Sequence, residues 1–163
     1  MTRQRALLGI AIGVLAGGIL FYFLGRQHDH VYFLSKWLAP TNLSISLFGL
    51  AGQSLPTFIH VYALILLTVV IAGPAVSRVI SICLSWLFLD SLFEVGQIDS
   101  VARWIAAHVP DWFSGIPFLE NTARYFLFGT FDPFDLASIA AGTMAAFITT
   151  QIFKGRNKHE HYP

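Results

Sequence analysis

A single apolar run of this chain carries two acids within it: VISICLSWLFLDSLFEVGQ, residues 79–97, with Asp90 and Glu94 one helical turn apart. A carboxylate in hydrocarbon is costly, so acids inside a membrane normally face a partner, water or a binding site instead of lipid. The pair therefore marks a candidate functional site within an otherwise apolar helix.

The composition points to a membrane protein. Of the 163 residues, 55% are hydrophobic and 12% are charged, whereas a soluble domain carries about 25% charged residues. The net charge is only +1, and the basic residues flank the apolar runs, where membrane orientation explains them. The charge therefore gives no reason to expect a nucleic acid partner. Cys83 is the only cysteine, which excludes an intrachain disulfide and a cysteine metal cluster.

Four apolar runs approach the length of about 20 residues that crosses a bilayer. We predict an all-α, polytopic membrane protein, a single domain over residues 1–163, with transmembrane helices at 6–24, 58–77, 79–97 and 134–153. The first run follows Arg3 and Arg5 as a signal peptide would, but no small-x-small cleavage site follows it, so we interpret it as a retained anchor. A tight turn at Gly73-Pro74 separates the second and third runs.

An even number of crossings places both chain ends on one side of the membrane. Short basic segments fall on that side and include Arg3, Arg5, Arg78, Lys154, Arg156 and Lys158. The remaining cations, Arg26, Lys36, Arg103 and Arg124, lie in two longer loops, 25–57 and 98–133. The positive-inside rule then predicts that the N and C termini are cytoplasmic.

Both long loops are apolar enough to lie at the membrane boundary. Segments 31–38 and 43–50 mix aromatic and aliphatic residues with a single cation, a composition that suits the headgroup region. The loops either cap the helix bundle or form the mouth of a cavity for a lipid or other ligand, and the sequence leaves both interpretations open.

The second loop also contains a short helical pattern. One stripe of this helix is formed by Val101, Trp104, Ile105 and His108. On the same segment Asp99 and Arg103 have the spacing of an i, i+4 ion pair. We expect the residues that follow, Trp112 and Phe113, to be interfacial anchors.

Helical periodicity gathers polar side chains on one face of the third run, and that face carries Cys83, Trp86, Asp90, Glu94 and Gln97. The second and fourth helices bring polar residues to the same outer level. We therefore predict a site that binds a ligand or a partner, formed by Asp90, Glu94, Gln97, His60, Asp132 and Asp135. A proton, a metal ion, a cationic headgroup or an arginine of a partner could answer these charges. No cofactor is indicated, and a metal is left undecided.

Some of these residues also have a purely structural explanation. In the sequence around Pro133, Asp132 suits the N-cap of a helix and Asp135 suits its third position, where acids favour the positive end of the helix dipole. A single histidine such as His60 is commonly an interfacial side chain without a special role. Capping and binding both remain open here.

Small residues at spacings of four mark two helix faces, Gly9, Gly13 and Gly17 on the first and Ser138 and Gly142 on the fourth. Such residues let helix backbones approach closely in lipid. The two faces serve either packing within the bundle or contact with another membrane protein.

Two strings resemble the VanZ-like membrane protein family: FEVGQ at residues 93–97 and GTFDPFDL at 129–136, followed by Gly142. The resemblance covers roughly residues 56–153 and implies a small helical protein of the bacterial cytoplasmic membrane, with glycopeptide resistance as the association of the family's namesake. The family pattern carries over to Glu94, Gln97, Asp132 and Asp135. Where the family commonly has arginine and asparagine, this chain has Gly129 or Thr130 and Ser138 or Ile139.

Three functions follow as hypotheses. The first is a cell envelope protein that binds or moves a membrane lipid or a lipid-linked amphipathic molecule at the outer leaflet through the acidic residues. The second is a non-catalytic accessory subunit of a membrane complex, whose acids pair with a cation on a partner helix. The third is an intramembrane enzyme that uses Asp90, Glu94 and His60 as metal ligands or as acid and base.

Overall fold

The computed structural model describes residues 3–25 and 49–159, with side chains at 4–20 and 54–154, and the described part contains helices and no strands. The helices are α1 (Arg3–Gly25), α2 (Gly49–Ala72), α3 (Val76–Val95), α4 (Asp99–His108), α5 (Thr122–Phe128) and α6 (Pro133–His159). Two 3-10 turns, Asp111–Phe113 and Leu119–Asn121, lie between α4 and α5. The all-α prediction is confirmed for these residues.

Three helices are long and apolar enough to cross a membrane: Ser54–Ala72, Val76–Val95 and Pro133–Lys154. Their outward surfaces are apolar as well, because Ile71 is 87% exposed and Phe88 is 63% exposed. In α1 the described apolar helix is shorter, Gln4–Leu20. Large aliphatic and aromatic side chains on the outside of a bundle are expected where the surrounding solvent is lipid.

The second helix differs from the prediction at both ends. It begins at Gly49, not at residue 58, and runs through Pro56 without a break. It ends at Ala72, not at residue 77, because Gly73 adopts a φ of 92° and Pro74 follows. The guanidinium of Arg78 donates to the carbonyl oxygen of Ala72 and so satisfies one of the carbonyls left free at the helix end.

The loop predictions are only partly covered by the described residues. Residues 26–48 lie outside the described part. This range contains the predicted interfacial segment 31–38, most of the segment 43–50, and the cations Arg26 and Lys36. In the second loop α4 occupies the predicted position, and Arg103 pairs with Asp99 at 2.8 Å, as its spacing predicted. Within the predicted stripe, Trp104 is 63% exposed.

Helix α2 lies at the centre of the bundle and contacts α1, α3 and α6. The core between these helices is formed by Leu7, Ala11, Val61, Ile65, Leu66, Val69, Val79, Cys83, Ile139 and Ala146. Gly18 of α1 packs on Ile59, and Gly142 of α6 packs on Phe58 and Val61. Small residues thus permit close approach on both flanks of α2.

The direction of each helix places the described basic ends together. Helix α3 runs antiparallel to α2 after a tight turn, whereas α6 runs parallel to α2, since Gly142 meets Phe58 and Thr149 meets Tyr62 further along both helices. Gly18 contacts Ile59, while Leu7 and Ala11, earlier in α1, are buried in the same core as Ile65 and Val69, later in α2, so α1 runs antiparallel to α2. Arg5, Arg78 and Lys154 consequently lie at one end of the bundle, and α4 and α5 lie at the other. The side chains of Arg3, Arg156 and Lys158 are not among those described.

Candidate functional site

Glu94 is the most buried of the predicted acids, with 6% of its surface exposed. It lies in the last turn of α3, where Oε1 accepts a hydrogen bond of 2.7 Å from the backbone N–H of Asp132. The side chain amide of Gln97 approaches the other oxygen, Oε2, at 3.5 Å. Glu94 therefore joins the end of α3 to the start of α6, and both of its oxygens face protein donors.

Asp132 is the N-cap of α6, as the capping interpretation predicted. Its Oδ1 accepts from the backbone N–H of Phe134 at 2.9 Å, and its carbonyl accepts from the N–H of Asp135 at 2.9 Å. In a capping box the acid at the third position would bond back to the N-cap N–H. Here Glu94 occupies that N–H, so the carboxylate of Asp135 is released from the capping role.

Asp135 and Asp90 each bury one carboxyl oxygen that has no hydrogen-bond partner among the described residues. These atoms are Oδ1 of Asp135 and Oδ2 of Asp90. An unpartnered buried acceptor normally costs about 1–3 kcal/mol, and more when it is charged. The described helices supply no hydrogen-bond donor to either oxygen, so each is available to accept one.

The two unpartnered acids lie at nearly the same depth. The bond from Asp132 to Glu94 aligns α3 with α6, and the helices run in opposite directions. At about 1.5 Å per residue, Asp90 lies roughly 6 Å below Glu94 on α3, and Asp135 roughly 4.5 Å below Asp132 on α6. The acids thus form a layer beneath the Glu94 bond, at the end of the bundle that carries α4 and α5.

His60 joins this layer from α2. Its ring lies close enough to Asp90 for the two to interact electrostatically, although the histidine side chain itself is exposed on the outer face of the helix. Because α2 begins at Gly49, His60 lies about three turns inside the helix and not near its start. The structure therefore brings all six predicted site residues to one end of the bundle, five of them on the three candidate spans and the cap of α6, and Gln97 in the turn after α3.

Gln97, the sixth residue, was predicted on the face of the third helix and lies instead in the turn that follows α3. The helix ends at Val95, and the next backbone bonds, from Gln97 to Glu94 and from Ile98 to Val95, have 3-10 spacing. Phe126 packs where a side chain on Gly96 would lie. In this turn the amide of Gln97 donates to the hydroxyl of Tyr125 at 3.2 Å.

Helix α5 is held against the end of α3 by aromatic contacts. The ring of Phe93 stacks on Phe126 with centroids 5.9 Å apart and meets Tyr125 edge-on at 6.1 Å. Gly129, just after α5, lies directly against the side chain of Gln97, so that any larger residue there would displace the amide. Sequence patterns did not single out Tyr125, and they gave Gly129 no role.

An open cavity of about 490 Å³ lies between α4, α5 and the segment that leads into α6. Its wall includes Gln97, the same side chain that contacts Glu94, so the cavity is adjacent to the acidic layer. The remaining lining comes from Ile98, Asp99, Ala102, Phe126, Leu127, Gly129, Thr130 and Phe131. The second loop was interpreted either as a cap on the bundle or as the mouth of a cavity, and this cavity fits the second interpretation.

The arrangement can supply hydrogen-bond acceptors and negative charge, and it offers little for metal chemistry. Within the described residues no group of three or more His, Cys, Asp and Glu side chains is placed to hold a metal ion. Thr143, two turns along α6 from Asp135, adds a buried hydroxyl without a partner among these residues. A site of this composition favours an occupant that donates hydrogen bonds.

These features define the class of the protein: an all-helical chain with three helices long and apolar enough to cross a membrane and an acidic layer near one end of the bundle. In comparisons with known proteins, no family model, no curated protein and no solved structure matches this chain.

Proposed function

We propose that this chain is a multi-pass protein of the bacterial cytoplasmic membrane that binds a lipid or a lipid-linked amphipathic molecule through its acidic layer. The observation that carries the proposal is the pair of buried oxygens, on Asp90 of α3 and Asp135 of the adjacent α6, that have no partner among the described residues. A headgroup with ammonium or hydroxyl donors would satisfy both. The bacterial assignment and the VanZ-like membership rest on the resemblance of residues 93–97 and 129–136.

In this proposal α1 is a fourth crossing and both chain ends are cytoplasmic. The support is the gathering of Arg5, Arg78 and Lys154 at one end of the bundle, where the positive-inside rule expects the cytoplasm. The acidic layer, α4 and α5 then lie near the outer leaflet. There the exposed rings of Trp104 and Trp112, 63% and 64% exposed, suit the headgroup boundary.

Glu94 has a different role in this proposal from the two unpartnered acids. Its oxygens are occupied by Asp132 and Gln97, so it positions the start of α6 and leaves ligand contact to Asp90 and Asp135. His60 adds an imidazole to the same layer from α2, within electrostatic range of Asp90. Asp132 donates its backbone N–H to Glu94 and caps α6 with its side chain. Gln97 contacts Glu94 and also lines the cavity.

The experiment is native mass spectrometry of the gently extracted protein. The variant Asp90→Asn/Asp135→Asn removes both charges at constant shape, and Asp111→Asn/Glu120→Gln is the matched control, since both of those acids are exposed. A charge-assisted hydrogen bond contributes about 1.5–3 kcal/mol, so we expect retained lipid to fall about tenfold or more in the first variant and to be unchanged in the second. Equal lipid retention in all three proteins would refute the proposal.

A second candidate function is the accessory subunit. The observation in its favour is that a Cβ placed on Gly9, Gly13 or Gly17 would meet nothing within 4 Å among the described residues, whereas Gly142 is packed against α2. The open face of α1 could receive a partner helix. Co-purification tests this function: a stoichiometric partner that is lost on Gly13→Leu supports it, and a wild-type protein that purifies alone opposes it.

A further inference from the structure

We infer that the tip of the loop between α4 and α5, residues 116–118, inserts into the lipid leaflet at that end of the bundle. The side chains of the tip reach below the headgroups, while its backbone stays at headgroup level. The partner is the lipid surface itself. This inference goes beyond the proposed function, because it concerns a membrane-insertion surface and needs no occupant in the acidic layer.

The tip is apolar throughout. All three of its residues, Ile116, Pro117 and Phe118, are exposed, and Phe118 is 68% exposed. Exposed apolar surface is unfavourable in water, and patches of it mark contacts with a membrane or with another protein. Trp112, also exposed, precedes the tip, and an indole ring suits the headgroup level just above it.

The backbone conformation at Phe118 is unusual. Its φ is 72°, in the left-handed region that residues other than glycine rarely adopt. A bulky residue in this region is costly, and such strain concentrates where a side chain has a function. Because the ring is left at the surface, its function lies in a contact that this surface makes.

The polar groups of the tip backbone are largely paired within the loop. Ile116 donates its N–H to the carbonyl of Phe113, and its own carbonyl accepts from the N–H of Glu120. The carbonyl of Phe118 accepts from the 3-10 turn that follows, and Pro117 has no N–H. Unpaired backbone groups are what keeps loops out of lipid, so this pairing lowers the cost of insertion.

Contacts with α3 set the depth of the loop. Helix α3 has 20 residues and is about 30 Å long, so it matches a hydrocarbon core of roughly 30 Å and ends near the headgroups. Tyr125 and Phe126 of α5 contact Phe93, two residues before α3 ends. Only three residues separate α3 from α4, and four separate α5 from α6. The loop is therefore held at the membrane boundary.

Charge decides between two ways of binding a membrane. Residues 111–121 include the exposed acids Asp111 and Glu120 and no lysine or arginine. Coulomb attraction to anionic lipids therefore cannot draw the loop to the membrane, and insertion relies on the apolar side chains. We expect a zwitterionic leaflet to be sufficient.

Spin-label accessibility tests the inference in the full chain, reconstituted in phosphatidylcholine bilayers. In a Cys83→Ser background, nitroxides are attached at Phe118→Cys, at Phe88→Cys on the exposed side of α3, and at Ser100→Cys, an exposed polar position at the start of α4. Oxygen collides more with labels in hydrocarbon and a nickel chelate with labels in water. We expect the oxygen-to-nickel ratio to be several-fold higher at Phe118→Cys than at Ser100→Cys, and closer to that at Phe88→Cys.

Two results would overturn the inference. Equal ratios at Phe118→Cys and Ser100→Cys would place the tip in water. Protection of Phe118→Cys from both reagents would show that protein covers the tip, either a second copy, another partner or another segment of this chain. Added phosphatidylglycerol should leave the ratio unchanged, and a high ratio that requires this anionic lipid would contradict insertion by apolar side chains alone.

Two variants at Phe118 separate insertion from folding, with the label at Ile116→Cys. Phe118→Asp removes the ring with a residue that tolerates left-handed backbone, and Phe118→Leu is the apolar control. Nickel accessibility of the label should rise several-fold in the first and stay unchanged in the second, with equal thermal stability in detergent. Unchanged accessibility in Phe118→Asp contradicts the inference. Lipid retention at the acidic layer should be unaffected, so the proposed function can fail or survive separately.

Discussion

The backbone N–H of Asp132 donates to Oε1 of Glu94 across 2.7 Å, and this bond connects the last turn of α3 to the first turn of α6. The contact ties two helices that are 38 positions apart in sequence at these residues. It also occupies the N–H that Asp135 would otherwise take in a capping box. One hydrogen bond therefore both stabilises the bundle and leaves Oδ1 of Asp135 without a partner among the described residues.

Loss of the Glu94 acceptor should destabilise the fold. In Glu94→Ala the N–H of Asp132 loses its partner at a part-buried position, and the free energy of unfolding should fall by about 1–3 kcal/mol. Glu94→Gln keeps an acceptor oxygen and should lose clearly less. Thermal unfolding in detergent measures both, with Glu120→Ala as the exposed control. An equal loss in Glu94→Ala and Glu120→Ala would contradict the role given to this bond.

The N-cap of α6 should be measurable by itself. Asp132→Ala removes the oxygen that accepts from Phe134, and we expect a cost of about 1 kcal/mol, whereas Asp132→Asn preserves a cap. Hydrogen exchange at the amide of Phe134 reports the local effect. Faster exchange in Asp132→Ala but not in Asp132→Asn is expected, and identical exchange in the two variants would argue against a cap.

Close packing of α6 on α2 predicts a difference between two glycines. A side chain atom added at Gly142 would lie 2.5 Å from Cγ1 of Val61 and 2.8 Å from the carbonyl oxygen of Phe58, while one added at Gly13 would meet nothing within 4 Å among the described residues. Gly142→Ala should therefore cost about 1–3 kcal/mol of stability. Gly13→Ala should cost little or nothing. Similar unfolding temperatures for the two variants would show that α2 and α6 do not pack this closely.

The four-crossing topology makes a prediction about accessibility. In a Cys83→Ser background, Arg5→Cys and Lys154→Cys should be protected from an impermeant thiol reagent added outside intact cells, and Trp112→Cys should react. The reason is that α4 and the 3-10 turn after it lie at the opposite end of the bundle from both basic positions. Labelling of Arg5→Cys from outside would show that α1 does not cross the membrane or that it crosses in the opposite direction.

Sequence patterns predicted the features that depend on neighbours along the chain. Helical periodicity and apolar length indicated the third and fourth helices, Asp132-Pro133 indicated the start of α6, and the spacing of Asp99 and Arg103 indicated their ion pair. Capping and i, i+4 pairing are local, so they can be seen in one segment at a time.

Features that require two distant segments were not predictable. No local pattern shows that Glu94 takes the N–H of Asp132, or that Gly129 leaves room for Gln97. The prediction that placed Gln97 on the helix face was wrong because α3 ends in a 3-10 turn before this residue. Phe126, from a distant segment, packs on Gly96 in that turn. The start of α2 was predicted too late, since a helix that is packed on its neighbours continues through Pro56.

A structure of the protein in nanodiscs of its native lipid, at a resolution that shows headgroups, tests the central claim most directly. We predict non-protein density within hydrogen-bond distance of Oδ2 of Asp90 and Oδ1 of Asp135, the two oxygens that the described residues leave without a donor. If those oxygens are instead bonded only to water, to each other or to residues of this chain, the account of the acidic layer as a lipid-binding site is contradicted.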